Sequence, residues 1–272
     1  MLFLSTLPVL AFPVMNPVAF AIGPFAVRWY ALAYIAGLVI GWRLAMKIAG
    51  RWGSPVTPQQ VDGFLLWATL GVVLGGRSGY VLFYNLDYYL QHPLEMFEVW
   101  HGGMSFHGGM LGVIIAMVVY CRWLRLPFFA FTDIIACVTP VGLFFGRIAN
   151  FINGELWGRV AYDVPWAMVF PGGGPEPRHP SQLYQAAMEG VILFLLLNVL
   201  RWTTKAMDRP GVISGLFLAG YGVARIVGEL FRQPDAQIGY LVGGTTMGQW
   251  LSLPMVLLGL GVVWWASRRS RA

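Results

Sequence analysis

Residues 128–150, FFAFTDIIACVTPVGLFFGRIAN, decide the fold class of this protein. Only Asp133 and Arg147 are charged within this run, which exceeds the roughly 20 apolar residues that a helix needs to cross about 30 Å of hydrocarbon. The whole chain shares this character, since 57% of its 272 residues are hydrophobic and 11% are charged. Soluble domains contain roughly 25% charged residues. We therefore predict an all-α, polytopic integral membrane protein.

Six other stretches have the length and the apolar composition of a membrane span. They lie near residues 28–46, 63–84, 104–123, 184–202, 212–231 and 247–266. Together with residues 128–150 they predict about seven transmembrane helices.

Basic residues are unevenly distributed among the segments that join these spans. Lysine and arginine follow the first, third, fifth and seventh spans, whereas residues 85–103 contain neither. Because short cytoplasmic loops are enriched in basic residues, we predict an N-terminus outside and a C-terminus in the cytoplasm. The net charge of +6 is thus divided among several loops. It forms no single basic stripe, so no nucleic-acid partner is expected.

Two segments do not have the composition of a span. Residues 1–23 are apolar but interrupted by prolines and have no basic start, so we predict an interfacial segment on the outer side, not a signal peptide. Residues 24–272 form the predicted seven-helix domain. Near residues 154–180 the chain is too rich in turn-forming residues to span, as in FPGGGPEPRHP. We expect this outer loop to cover the functional site, either as a lid or as a passive connector.

The sequence contains no pattern typical of a metal or cofactor site. Cys121 and Cys137 have no CxxC or Cys/His spacing, and we interpret both as small buried core residues. A P-loop and a dinucleotide fingerprint are also missing. Neither a metal nor a cofactor is expected.

Charged residues inside spans are the strongest functional signals, because a charge in hydrocarbon normally faces a partner, a cavity or a ligand. Arg147 opens the run GRIANFINGELWGR, in which Asn150 follows on the same helical face. An arginine offers a planar fork of donors that fits a phosphate, which here would be a lipid headgroup. The alternative is structural: Asn150 ends the helix. Arg225 and Glu229, four residues apart, can also simply pair with each other.

Two further polar groups are open to a functional or a structural interpretation. The topology places His107, in HGGMSFHGGM, about one helical turn below the outer surface and level with Arg147 and Arg225. Such a histidine is either a candidate base, because it titrates near neutrality, or a hydrogen-bonded structural group. Arg77, in GGRSGY, is either functional or an ion-pair partner for Asp133 or Glu189.

Several long motifs resemble those of the bacterial prolipoprotein diacylglyceryl transferase family. They are RWYALAY, GGRSGYVLFYN, HGGMSFHGG, GRIANFINGELWGR, RHPSQLYQ and YGVARIVGELFR. The resemblance covers roughly residues 24–265. It implies an inner-membrane enzyme that transfers diacylglyceryl from phosphatidylglycerol to the lipobox cysteine of a prolipoprotein signal peptide. The products are a thioether and glycerol 1-phosphate.

The resemblance also assigns roles to residues at matching positions. It implies a catalytic role for His107, Arg147 and Arg225, with both arginines on the lipid phosphate. The arginines' field is the alternative to His107 for activating the thiol. Further substrate-binding positions are Tyr30, Asn150, Glu155, Gly158, Tyr221 and Glu229. The active site is expected on the periplasmic side, among membrane lipids.

Two other classes of function remain open from the residues. The GRSG motif has the GxSG form of an intramembrane serine protease, with Ser78 as nucleophile and His107 as base. That hypothesis gives Arg147 and Arg225 no function, and replacing Ser78 with alanine tests it. An anion or lipid transporter would explain buried arginines but would form no covalent product.

Overall fold

The structure is a computed structural model that describes residues 10–269 except 14, 24, 52 and 235–237. Residues 1–9 of the predicted interfacial segment therefore lie outside the described residues. Within the described part, seven helices are long and apolar enough to cross a membrane, which confirms the predicted number. They are Trp29–Ala49 (α1), Pro58–Tyr84 (α2), Phe106–Trp123 (α4), Phe128–Ile152 (α5), Ser181–Thr203, Val212–Glu229 (α8) and Met247–Arg268 (α9).

The fifth of these spans is a composite helix. It begins as an α-helix at Ser181–Gln185 (α6), widens into a π-helix at Ala186–Ile192 and continues as an α-helix at Leu193–Thr203 (α7). Single π-turns inside helices occur frequently at functional sites. One short helix, Leu86–Gln91 (α3), follows α2.

Short strands occupy the region before α1, where we predicted only an interfacial segment. Leu10–Ala11 (β1) pairs in parallel with Met168–Val169 (β4) of the outer loop. Val18–Ile22 (β2) and Phe25–Arg28 (β3) form an antiparallel hairpin that crosses the predicted boundary at residue 23. Arg28 therefore ends a strand and does not begin the first span.

The chain divides into two compact units, residues 1–43 with 135–272, and residues 44–134. In the first unit α8 packs closely along α9. A Cβ atom on Gly215 would lie 2.6 Å from the carbonyl oxygen of Gly259, so only glycine fits at this crossing. The same unit contains the composite helix, which packs on α8.

The second unit is built around the packing of α2 against α4. A Cβ atom on Gly79 would lie 2.8 Å from the Cα atom of Gly108, the residue that follows His107. Small residues on both helices thus let the two backbones approach closely.

Arg77 has a structural function in the second unit. Its guanidinium donates hydrogen bonds of 2.6 to 3.3 Å to the backbone carbonyls of Glu95, Met96, Gly102 and Gly103. These carbonyls belong to the segment between α3 and α4. Arg77 therefore needs no carboxylate partner, contrary to the ion pair considered from the sequence, and Glu189 has other partners.

Candidate active site

Arg147 and Arg225 meet at one buried carboxylate, that of Glu189. The Nε and Nη2 atoms of Arg147 lie 3.0 and 2.9 Å from Oε2 of Glu189. Nη1 of Arg225 lies 3.9 Å from Oε1 of the same carboxylate. Glu189 is fully buried, whereas each arginine side chain keeps about 15% of its surface exposed. The two arginines that the sequence singled out are therefore brought together.

Three elements supply this site. Arg147 belongs to the last turns of α5, Glu189 to the π-helix and Arg225 to α8. The π-helix can approach α5 because Gly190 faces Phe144, where an added Cβ atom would lie 2.6 Å from the Phe144 Cβ. The close approach places the carboxylate of Glu189 within reach of Arg147.

A second carboxylate, Glu229, extends the cluster toward α9. Nη2 of Arg225 lies 2.8 Å from Oε1 of Glu229, so the structure contains the ion pair that their four-residue spacing left open. Nη1 of Arg232 lies 3.5 Å from the same oxygen. The hydroxyl of Thr246, the N-cap of α9, donates a 2.7 Å hydrogen bond to Oε2 of Glu229.

The cluster of Arg147, Glu189, Arg225, Glu229 and Arg232 carries three positive and two negative charges. Nη1 of Arg225 is buried and has no hydrogen-bond acceptor among the described residues. Oε1 of Glu189, the ion-pair partner of this atom at 3.9 Å, is beyond hydrogen-bond distance, so Nη1 is the candidate binding point for an anion. A cavity of about 40 Å³ between the end of α8 and the start of α9 reaches Arg225, Glu229 and Thr246.

Tyr221, one turn before Arg225 on α8, faces the same cluster. The charges of Glu189, Arg225 and Arg147 all act on its hydroxyl. The structure therefore places Tyr221 within electrostatic range of the cluster.

Asn150, Glu155 and Tyr30 form a neighbouring polar group. Nδ2 of Asn150 donates a 2.8 Å hydrogen bond to Oε1 of Glu155. The charge of Glu155 acts on the hydroxyl of Tyr30, which lies 3.3 Å from the hydroxyl of Tyr34. Nε2 of Gln182 donates to the backbone carbonyl of Glu155 and fixes the start of the loop.

Gly158 lies where the outer loop crosses the end of α8. Its N–H donates a 2.9 Å hydrogen bond to the carbonyl of His179. A Cβ atom at this position would lie 2.5 Å from that carbonyl and 2.6 Å from the carbonyl of Phe231. Gly158 thus permits a close backbone crossing, and its predicted contact with substrate stays a prediction.

The described loop between Ile152 and Ser181 contains the strand β4 and turns, and no helix. His179, near its end, is partly buried, and Nδ1 lies 3.2 Å from the hydroxyl of Tyr184. Nε1 of Trp166 donates to the same hydroxyl. Burial lowers the pKa of His179, and the charge of Arg159 acts in the same direction against that of Asp163.

His107 and Ser78 belong to the second unit, and both are exposed. The ring of His107 contacts Phe106 edge-on, with centroids 5.7 Å apart. Among the described residues, no hydrogen bond joins Ser78 to His107, so the protease hypothesis gains no support. The catalytic role of His107 stays a prediction. The part of the chain that the structure describes also contains no group of three potential metal ligands.

Sequence reasoning named Glu189 as a charge inside a span but did not identify it as the common partner of Arg147 and Arg225. It also missed Gln182, Arg232 and Thr246. Arg232 ends the motif YGVARIVGELFR and Gln182 lies in RHPSQLYQ, but neither was given a role there, and Thr246 lies in none of the quoted motifs. For Glu189 the sequence indicates a cationic partner, because a carboxylate inside a membrane helix normally pairs with a cation, but it does not identify which cation.

Seven apolar helices among the described residues, with Arg147, Glu189 and Arg225 paired inside them, define a polytopic membrane protein with a buried charged cluster. Residues 17–265 match the family described as Prolipoprotein diacylglyceryl transferase. The chain belongs to this family.

Relatives in other bacteria cover nearly the whole chain. The phosphatidylglycerol–prolipoprotein diacylglyceryl transferase of Paramagnetospirillum magneticum is 60% identical over 260 residues, which are 96% of this chain and 97% of that protein. The proteins of the same name from Rhodospirillum rubrum and Rhodopseudomonas palustris are 59% and 57% identical. In each case 96% of this chain is covered, with 96% and 93% of the relative.

Proposed function

We propose that this protein transfers the diacylglyceryl group of phosphatidylglycerol to the thiol of a prolipoprotein lipobox cysteine. The names of the relatives state the lipid donor and the protein acceptor. The observation that carries the proposal for the site is the convergence of Arg147 and Arg225 on Glu189. Among the described residues, Nη1 of Arg225 has no hydrogen-bond acceptor. The phosphate oxygens of a lipid are suitable acceptors for this donor.

In the proposed complex the lipid phosphate binds to Arg147 and Arg225. Both guanidiniums are permanently charged and offer donors in a plane, which suits two oxygens of one phosphate. Glu189 pairs with both arginines and holds them in place. The donors are thus oriented before the lipid arrives, which is the condition for electrostatic stabilisation of a developing charge.

The substrate thiol is the nucleophile. Its sulfur attacks the glyceryl carbon that is bonded to the phosphate oxygen, so that a C–S bond forms as the C–O bond breaks. The electron pair of the broken bond goes to the phosphate oxygen. Glycerol 1-phosphate leaves, and the two arginines stabilise the negative charge that it gains. Stabilisation of this kind contributes about 3–4 kcal/mol per key donor.

The thiol proton needs an acceptor, because a cysteine thiol has a pKa of about 8.5 and is largely protonated at neutral pH. His107 is the proposed base. The field of Arg147 and Arg225 is the alternative, since positive charge lowers the pKa of a nearby thiol. Asn150, Glu155, Tyr30 and Glu229 are proposed to bind the headgroup or to orient the groups that do.

The membrane placement belongs to the same proposal. The protein is proposed to lie in the bacterial inner membrane with the N-terminus and the 154–180 loop on the periplasmic side and the C-terminus in the cytoplasm. The distribution of lysine and arginine supports this orientation. The signal peptide of the prolipoprotein, itself apolar, and the lipid would both reach the site from the membrane.

A test combines the purified protein with phosphatidylglycerol and a lipobox peptide and measures the mass of the peptide. We expect a gain of one diacylglyceryl unit. Arg147→Ala and Arg225→Ala should abolish this gain, whereas Arg122→Ala, at an exposed position in the second unit, should not. Lipid movement without a covalent product would instead support a transporter.

Three further variants separate the chemical roles. Arg147→Lys keeps the charge but lacks the bidentate fork, so activity should fall strongly. The double variant Cys121→Ser/Cys137→Ser should keep full activity, and its inactivity would contradict a nucleophile supplied by the substrate. Ser78→Ala should also be active, since loss of activity would favour the protease hypothesis.

A further inference from the structure

Gln185 is a fully buried glutamine whose amide has no partner. Its residue is 0% exposed, and neither Oε1 nor Nε2 has a hydrogen-bond partner among the described residues. A buried amide without hydrogen bonds is destabilising, and native proteins rarely retain one. Either other interactions offset the cost of such a side chain, or the amide forms its hydrogen bonds with a ligand.

A second buried amide in the same composite helix shows the usual arrangement. Nδ2 of Asn198 donates to the carbonyls of Cys137 and Phe194, and its Oδ1 accepts hydrogen bonds from Arg201. Asn198 therefore satisfies its donor and its acceptor within the protein. Gln185 satisfies neither, although it is equally enclosed.

The amide of Gln185 packs against the end of α8, to which Arg225 and Glu229 belong. Gln185 is four residues before Glu189, where α6 passes into the π-helix. Its Nε2 lies 3.4 Å from the position of a Cβ atom on Gly228 of α8. Gly228 directly precedes Glu229 and follows Arg225 by three residues. Arg225 and Gly228 are therefore separated by about one helical turn, or about 5–6 Å.

We propose that the carboxamide of Gln185 binds the hydroxyl groups of the glycerol headgroup and thereby selects phosphatidylglycerol among membrane lipids. This inference rests on the proposed function, in which the lipid phosphate lies on Arg147 and Arg225. Each hydroxyl both donates and accepts a hydrogen bond, and a carboxamide supplies one acceptor and a pair of donors. The glycerol is attached directly to the phosphate, so it lies about one helical turn from Arg225.

Headgroups of other chemistry suit this position less well. A headgroup without hydroxyls leaves the buried amide unpaired, and a site built to hydrogen-bond a hydroxyl discriminates strongly against an analogue that lacks it. An ammonium headgroup meets the guanidiniums of Arg147, Arg225 and Arg232, which repel it. Gln185 therefore acts as a specificity residue for the proposed reaction.

The test compares phosphatidylglycerol with phosphatidylpropanol of the same acyl chains, whose headgroup lacks both hydroxyls. Thioether formation on a lipobox peptide is measured for each lipid with one enzyme preparation, so the ratio of rates does not depend on the amount of folded protein. The wild-type protein should prefer phosphatidylglycerol by about tenfold or more. Gln185→Met, of similar size and without hydrogen bonds, should reduce the ratio to within about twofold of one.

Asn198→Leu is the matched control, because it removes a buried amide from the same helix and should leave the ratio unchanged. Gln185→Glu is the second variant if Gln185→Met does not fold: it keeps an acceptor and loses both donors, so the ratio should fall severalfold without reaching one. An unchanged ratio in whichever Gln185 variant folds overturns the inference while the proposed function stands. A wild-type protein that forms no thioether from either lipid overturns the proposed function, and the inference with it.

Discussion

Replacing Glu189 with glutamine removes the negative charge that Arg147 and Arg225 share while it preserves the shape of the side chain. The carboxylate is fully buried and lies 2.9 Å from one guanidinium and 3.9 Å from the other. Without it, two enclosed positive charges repel each other and lose their common acceptor. We therefore expect the variant to be less stable and less active.

The size of the effect follows from these distances. At an effective dielectric constant of about 20, the attractions correspond to about 6 and about 4 kcal/mol before the cost of desolvation. Desolvation of the carboxylate offsets much of this, and removal of one partner from a buried pair typically costs ~3–5 kcal/mol. For a chain of this size that corresponds to a fall in melting temperature of about 10 °C. A displaced Arg147 should also lower kcat/KM by about 100-fold.

Thermal unfolding in detergent and the rate of thioether formation measure the two effects separately. Added phosphatidylglycerol should stabilise Glu189→Gln more than the wild type, because the lipid phosphate replaces the missing negative charge. Glu176→Gln, in the outer loop, is the control for removing a carboxylate and should be indistinguishable from the wild type. A Glu189→Gln protein with the melting temperature and activity of the wild type would refute the role of Glu189 as the anchor of both arginines.

Three further predictions concern the surroundings of the site. Gly158→Ala places a Cβ atom 2.5 Å from the carbonyl of His179 and should destabilise the protein by about 1–3 kcal/mol in thermal unfolding. Thr246→Val removes the 2.7 Å hydrogen bond to the buried carboxylate of Glu229 and also removes the side chain that caps α9. The free energy of unfolding should therefore fall by about 2–3 kcal/mol, again in thermal unfolding. The wild type should lose thermal stability as the pH falls below about 6.5, because the pKa of His179 is lowered in the folded state and the unfolded state binds the proton first. His179→Gln should not show this loss.

Matched measurements can contradict each of these three. Gly146→Ala, where an added Cβ atom meets nothing within 4 Å, should be tolerated, and an equal loss in both glycine variants would exclude the backbone crossing as the cause. Thr246→Ser retains the hydroxyl and should recover most of the stability. For His179, identical pH profiles of wild type and variant between pH 5 and pH 7, about the range in which histidine titrates, would show that its burial has no effect on stability.

The seven spans could be predicted because the length of an apolar run depends mainly on membrane thickness. The fifth span begins at Ser181, three residues before its predicted start, since its first residues are polar. They are nevertheless buried: the hydroxyl of Ser181 donates to the carbonyl of Leu156 in the loop. A hydropathy scale cannot detect a polar residue that is buried because it binds a loop. The β2–β3 hairpin was missed because its sequence is apolar on both faces and shows no alternation.

The candidate site was predictable in its charged residues but not in its geometry. Arg147 and Arg225 could be identified because a guanidinium inside a span requires an explanation. Their common partner Glu189 could not, because pairing depends on how α5, the π-helix and α8 pack, and sequence spacing carries no information about contacts between distant segments. Gln185 ends the motif RHPSQLYQ, but the motif gave it no role, since one glutamine at the start of a helix is ordinary until its burial is known.

The π-helix makes the arrangement sensitive to chain length. A π-turn contains one residue more than the α-helical turn it replaces, and each α-helical residue turns the chain by about 100°. Deleting a single residue between Ala186 and Ile192 would allow a regular α-helix and would swing Gln185 around the helix axis relative to Leu193–Thr203. Polar groups now directed at α5 and α8 would then point in a different direction, although every residue that bears them would still be in the chain.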